Sequence, residues 1–136
     1  MSKLDEMMQS IVNDVDGALG CAVVDLESGL LLSVAHNVPY FTSSYLEAVA
    51  AAAVDMMRGR NVRAVESLLS SQRGQPVRHM IQEVQMSTEK TYHFMAVVPE
   101  KPNSLVVLIT SRNTNLGMGW AAVRTNLPQI AEFCPS

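Results

Sequence analysis

Residues Tyr45–Met57 read YLEAVAAAAVDMM. Ala and Met are strong helix formers, and Ser44 followed three residues later by Glu47 has the pattern of a capping box. The stretch is therefore expected to be a helix, closed by Gly59. With residues set at about 100° per step, Glu47, Ala51, Asp55 and Arg58 fall in one narrow arc. The opposite face holds Leu46, Val49, Ala53, Met56 and Met57, which are expected to pack on a sheet. Tyr45, Ala48 and Ala52 flank that face on one side, Ala50 and Val54 on the other. A helix lying on a sheet in a monomer usually shows water a wider polar face than this. Ala48, Ala51 and Ala52, with Asp55, instead form an outward shoulder of small residues, over which a second backbone can approach closely. The helix is expected to meet another protein surface, most simply its own copy across a two-fold axis. The plain alternative is that alanine serves only as a good helix former on an exposed face.

Ahead of this helix, Ser2 with Asp5 begins another, in which Leu4, Met7, Met8, Ile11, Val12 and Val15 recur at helical spacing until Asp16-Gly17. Cys21–Leu26 and Leu30–Ala35 are short apolar runs around Glu27-Ser28-Gly29, a β-hairpin pattern. Asn37-Val38-Pro39 breaks it. Beyond Gly59, Val62–Leu69 reads as a shorter second helix or a kinked continuation, stopped at Arg73-Gly74-Gln75-Pro76. Met80–Ser87 alternates imperfectly, with Met80, Val84 and Met86 on one face; Gln82, Glu83 and Gln85 suit an edge strand. Thr91–Val98 reads as a strand, Pro99–Ser104 as a turn, and Leu105–Ile109 (LVVLI) as a central strand. A last helix is expected over Leu116–Phe133, bent or shortened at Pro128. Nearly all strand connections are tight, so the sheet should be antiparallel. The expected fold is α+β, a five-stranded antiparallel sheet between the middle helix and the two terminal helices, in one domain over residues 1–136.

Composition narrows the function. The 136 residues are 48% hydrophobic and 17% charged, which excludes a disordered tail. Thirteen acidic against ten basic residues give a net charge of -3, unlike a nucleic-acid binder. No export signal or spanning stretch is evident, so a cytoplasmic location without membrane insertion is expected.

The signatures G-x-x-x-x-G-K-[ST], H-E-x-x-H, C-x-x-C and G-x-S-x-G are absent, and no catalytic residue, cofactor or metal ligand is assigned. Gly117-Met118-Gly119-Trp120-Ala121-Ala122 matches the dinucleotide pattern G-x-G-x-x-A, but no parallel strand or acidic partner follows within the chain, so close helix–sheet packing is expected instead. Ser87-Thr88-Glu89-Lys90 matches S-x-x-K but spans a hairpin turn rather than a helical one. His36, His79 and His93 lie at no ligand spacing from one another or from Cys21 and Cys134. His93 is expected on the sheet surface, Cys21 buried, and Cys134 as an oxidisable thiol in the terminal tail. Most of the nine Met residues read as core, with Met57 and Met118 the ones to watch. Arg58, Arg60 and Arg63 read as solvated helix-end cations.

Four stretches together resemble a roadblock-type domain: Gly20–Asp25 with Ser28-Gly29-Leu30, the Ala-rich helix Tyr45–Met57, Leu105–Ile109, and Asn115-Leu116-Gly117. The family comprises the dynein light-chain roadblock proteins and bacterial relatives that regulate gliding-motility GTPases. The resemblance spans nearly the whole chain. It implies dimers with third strands paired edge to edge and middle helices side by side across the dyad, and a helical face that contacts a small Ras-like GTPase and can stimulate its hydrolysis. With no catalytic constellation in the sequence, the chain itself is not expected to be an enzyme. Its interface residues here are Tyr45, Ala48, Ala51, Ala52 and Asp55 on the helix and Val84 and Met86 on the third strand. Pro76 departs from the pattern and is expected to shorten the pairing edge. The competing expectation is a small-molecule sensor or a purely structural scaffold of profilin-like architecture, with Tyr40, Tyr92 and His93 as loose ligand candidates.

Overall fold

The turn at Glu27-Ser28-Gly29 is built by the residue before it. In the computed structural model, which describes residues 2–135, the Asp25 carboxylate accepts from the Glu27 N–H at 3.1 Å and the Ser28 hydroxyl at 2.7 Å. Gly29 completes the reversal with a φ of 78°, a conformation that glycine adopts without steric cost. This turn joins β1 (Ala18–Asp25) to β2 (Leu31–His36). The chain begins with α1 (Lys3–Asp14), whose Ser2–Asp5 capping box is present with both reciprocal bonds. After β2 come α2 (Ser43–Arg58), α3 (Arg60–Arg73), β3 (Glu83–Ser87), β4 (Thr91–Val98), β5 (Lys101–Ser111) and α4 (Leu116–Ala131).

The five strands form one sheet in the order β2-β1-β5-β4-β3, and every neighbouring pair is antiparallel. The apolar strand β5 is central and β3 is an edge, as the residue patterns require. Strand alternation divides the core into two layers. Met8, Val23, Phe94, Val106, Leu108, Val123 and Ile130 pack on the α1/α4 face. Val24, Ala50, Ala53, Met57, Met95, Leu105 and Val107 pack beneath α2.

Several boundaries differ from expectation. The cap of α2 is Thr42, not Ser44: its hydroxyl accepts from the Tyr45 N–H at 3.2 Å, and Ser44 lies inside the first turn. The buried face of α2 is turned toward Ala50, Ala53 and Met57, while Val49 and Met56 are only half-buried. Ala50 thus belongs to the core rather than to a flank. A full helix, α3, follows directly, because Gly59 caps both helices. A Cβ there would lie 2.4 Å from the Asp55 carbonyl oxygen, so only glycine permits so tight a junction. Pro99 and Glu100 alone make the next reversal, with Glu100 at a φ of 62° and Val98 paired with Lys101. Strand β5 therefore starts within the expected turn. Pro128 lies inside α4 without ending it.

Strand β3 is shorter than the sequence pattern suggests, but Pro76 is not the direct cause. The backbone of residues 77–80 is drawn to α3: Val77 N–H donates to Ser70 Oγ at 2.8 Å and Met80 N–H to the Glu66 carboxylate at 2.9 Å. Among the described residues, no helix is long and apolar enough to cross a membrane, and no three His, Cys, Asp or Glu side chains could share a metal ion.

Candidate functional site

The outward face of α2 is positioned from both ends. At its start, Phe41 is buried and stacks on Tyr45, with ring centroids 4.9 Å apart and an interplanar angle of 22°. Tyr45 remains 38% exposed. At its end, Arg58 donates to Asn103 Oδ1 at 2.6 Å and to the Pro102 carbonyl, fastening the helix to β5. Arg58 is therefore a half-buried staple rather than a solvated cation. Between these anchors Ala48, Ala51, Ala52 and Asp55 are all exposed. The result is a rigidly seated helix with an outward surface of small residues bordered by carboxylates.

Val84 and Met86 lie elsewhere. Both are half-buried on β3, and Val84 packs into the layer beneath α2 with Met95 as its cross-strand partner. The structure thus brings Tyr45, Ala48, Ala51, Ala52 and Asp55 onto one helix, and sets Val84 and Met86 apart at the sheet edge. That edge is steadied by a bidentate ion pair from α4, in which Arg124 donates to Glu83 at 2.9 and 2.7 Å. Hydrogen bonding to Arg124 holds the Glu83 carboxyl below the usual range. The guanidinium also lies 4.7 Å from the centroid of the Trp120 ring.

The residues proposed for a small-molecule site are not brought together. Tyr92 packs with the α1/α4 layer, whereas His93, its neighbour in the strand, points to the other face. Tyr40 is 69% exposed beside Phe41.

His93 is buried, not a sheet-surface residue. Its Nε2 lies 3.0 Å from Thr91 Oγ1, while Nδ1 is buried without a partner. Burial holds its pKa below the ordinary histidine value. In that case the unfolded chain takes up a proton first as pH falls, so stability drops from about pH 6.5 downward. His79, lowered by burial and then by Arg58 and Arg78, acts in the same direction. Urea midpoints are expected to fall between pH 7.5 and 5.5, and to fall less in His93→Phe. An equal drop in both would remove His93 as a cause.

Both cysteines are buried. Burial pushes the Cys21 thiol up to about 12. Cys134 is likewise raised, chiefly by burial, and its carbonyl accepts from Lys101 Nζ at 2.8 Å. The expected oxidisable tail thiol is instead a packed residue. Met57 is core, whereas Met118 is 60% exposed.

A five-stranded antiparallel sheet of this order, with α1 and α4 on one face and α2 on the other, is the roadblock-type domain fold. Myxococcus xanthus MglB superposes with a TM-score of 0.70 at 16% identity, over 98% of this chain and 95% of that one. A Roadblock/LC7 domain from Streptomyces avermitilis gives 0.64 at 16% identity, over 96% and 99%. An MglB described as having a tetrameric arrangement gives 0.68 at 18% identity, over 97% and 93%. Comparison of the sequence with protein-family models and with curated proteins gives no match.

Proposed function

We propose that the chain is a non-enzymatic dimeric module that binds and regulates a small Ras-like GTPase, acting as a scaffold or an activator in cytoplasmic signalling. The observation that supports this most is the outward face of α2, where Ala48, Ala51 and Ala52 are exposed on a helix anchored at both ends. Small side chains let two helices approach to the lower end of the usual 8–10 Å interaxial range. Two α2 helices can therefore lie side by side across a dyad, with Tyr45 and Asp55 at the margins. The second element is β3, whose edge can pair with its own copy and bring Val84 and Met86 of both chains together. Pairing of this kind extends the sheet and leaves a composite helical face for the GTPase. The similarity in fold to MglB, and the sequence resemblance to regulators of gliding-motility GTPases, favour that class of partner.

Affinity capture with the native protein is expected to recover a small GTPase. Ala52→Arg places an uncompensated charge on the contact face and should weaken self-association or partner capture about tenfold or more. The chain should still unfold cooperatively because Ala52 is exposed in the single chain, with any fall in melting temperature no larger than the lost association accounts for. Recovery of the chain alone would remove the GTPase from this reading.

A further inference from the structure

Three arginines line one cleft of about 490 Å³ beside the junction of α2 and α3. Arg58 is the last residue of α2, Arg63 stands at the start of α3, and Arg78 comes from the connection to β3. The cleft is built rather than loose. Besides its bonds to Asn103 and Pro102, Arg58 offers its carbonyl to Arg63 Nε at 3.1 Å. The connection that carries Arg78 is braced on either side by the Val77–Ser70 and Met80–Glu66 hydrogen bonds. Beside it His79 takes a φ of 51°, uncommon for a residue with a side chain, and its carbonyl accepts from Gln82 at 2.8 Å.

Two carboxylates also face the cleft, yet neither forms a direct ion pair with an arginine. Glu66 is buried and accepts from the Met80 N–H; Glu27 accepts from the Asn103 side-chain amide at 3.3 Å. Among the described residues, no carboxylate oxygen lies within 4.0 Å of these three guanidiniums. Burial holds Arg58 below its ordinary pKa; the pull of Glu66 is the largest charge effect and opposes this, while Arg63 and Arg78 each repel Arg58 and add to the lowering. Helix α3 adds positive potential. Its cap, Gly59, supplies no side-chain bond and its first turn has no acidic residue, where carboxylates normally offset the helix dipole. Three arginines against two carboxylates leave the cleft with an excess of positive charge, which a bound anion would relieve through charge-assisted hydrogen bonds.

We propose that this cleft binds a small phosphorylated anion. Guanidinium groups arriving from three elements suit a tetrahedral oxyanion with several acceptor oxygens better than one planar carboxylate. The volume falls in the range of small-ligand sites. The lining has no Phe, Tyr or Trp on which a base could stack, so recognition rests on the phosphate groups.

The test is calorimetric titration of the full chain with inorganic pyrophosphate at fixed ionic strength. The parent is compared with the double variant Arg63→Ala/Arg78→Ala and with a control, Arg60→Ala/Arg73→Ala, whose arginines lie outside the cleft. All four side chains are exposed, and melting profiles check that each variant folds; Arg78→Ala alone replaces the double variant if that one does not. The parent and the control should bind saturably, and the cleft variant about tenfold or more weakly. Absence of saturable binding, or equal loss in the control, overturns the proposal. So does capture of a poly-glutamate peptide in preference to pyrophosphate, which would assign the arginines to an acidic protein segment.

Discussion

Phe94→Ala is expected to lower stability by about 3–5 kcal/mol, a large share of what a domain of this size has in reserve. Phe94 is fully buried on β4, on the face covered by α1 and α4. Its ring meets Trp120 edge-on with centroids 5.3 Å apart, and Tyr92 at 6.3 Å. Truncation removes the transfer energy of the ring, leaves a cavity between α4 and the sheet, and breaks both aromatic contacts. Urea denaturation should show the midpoint falling with little change in slope. A loss below about 1 kcal/mol would mean that the α4 layer closes over the gap without cost, contrary to the tight packing described.

Gly119→Val should destabilise by about 1–3 kcal/mol or more through overpacking of the same contact. A Cβ at Gly119 would sit 2.4, 2.7 and 2.9 Å from three atoms of the Phe94 ring. Glycine in a helix interior costs roughly 1 kcal/mol relative to alanine, so its presence one turn into α4 reflects the close approach of helix and strand. The cost should shrink in a Phe94→Leu background, because the two sites share one volume. Additive losses in the double variant would show that the ring and the glycine do not compete for that space. The same contact accounts for the match to the dinucleotide pattern: the second glycine of Gly117-Met118-Gly119 accommodates an aromatic ring.

Where local chemistry dictates structure, the chain was readable. Thr91–Val98 lies between a polar turn and a proline, and β4 has those bounds. The Ser2 cap needed only residues within one helical turn. The outward alanines of α2 followed from helical periodicity, although the buried face is centred on Ala50, Ala53 and Met57. What was missed depends on contacts far apart in sequence. The length of β3 is set by Glu66 and Ser70 reaching the backbone of residues 77–80. His93 looked like a surface residue because alternation identifies a strand's two faces but not how deeply each is covered. The cationic cleft joins Arg58, Arg63 and Arg78 across two helices and a connection, and Arg58 is aimed by Asn103 and Pro102, residues 45 and 44 positions away. No periodicity in the sequence carries such information.

The outward face of α2 bears the functional account, and sedimentation velocity of the parent beside Ala52→Arg tests it most directly. At micromolar concentration the parent should sediment as a dimer, and Ala52→Arg should shift toward monomer while keeping a cooperative melt, lowered by no more than the lost association accounts for. A parent that is monomeric throughout, or a variant that remains as dimeric as the parent, would contradict the assignment of this face to a protein partner across a dyad.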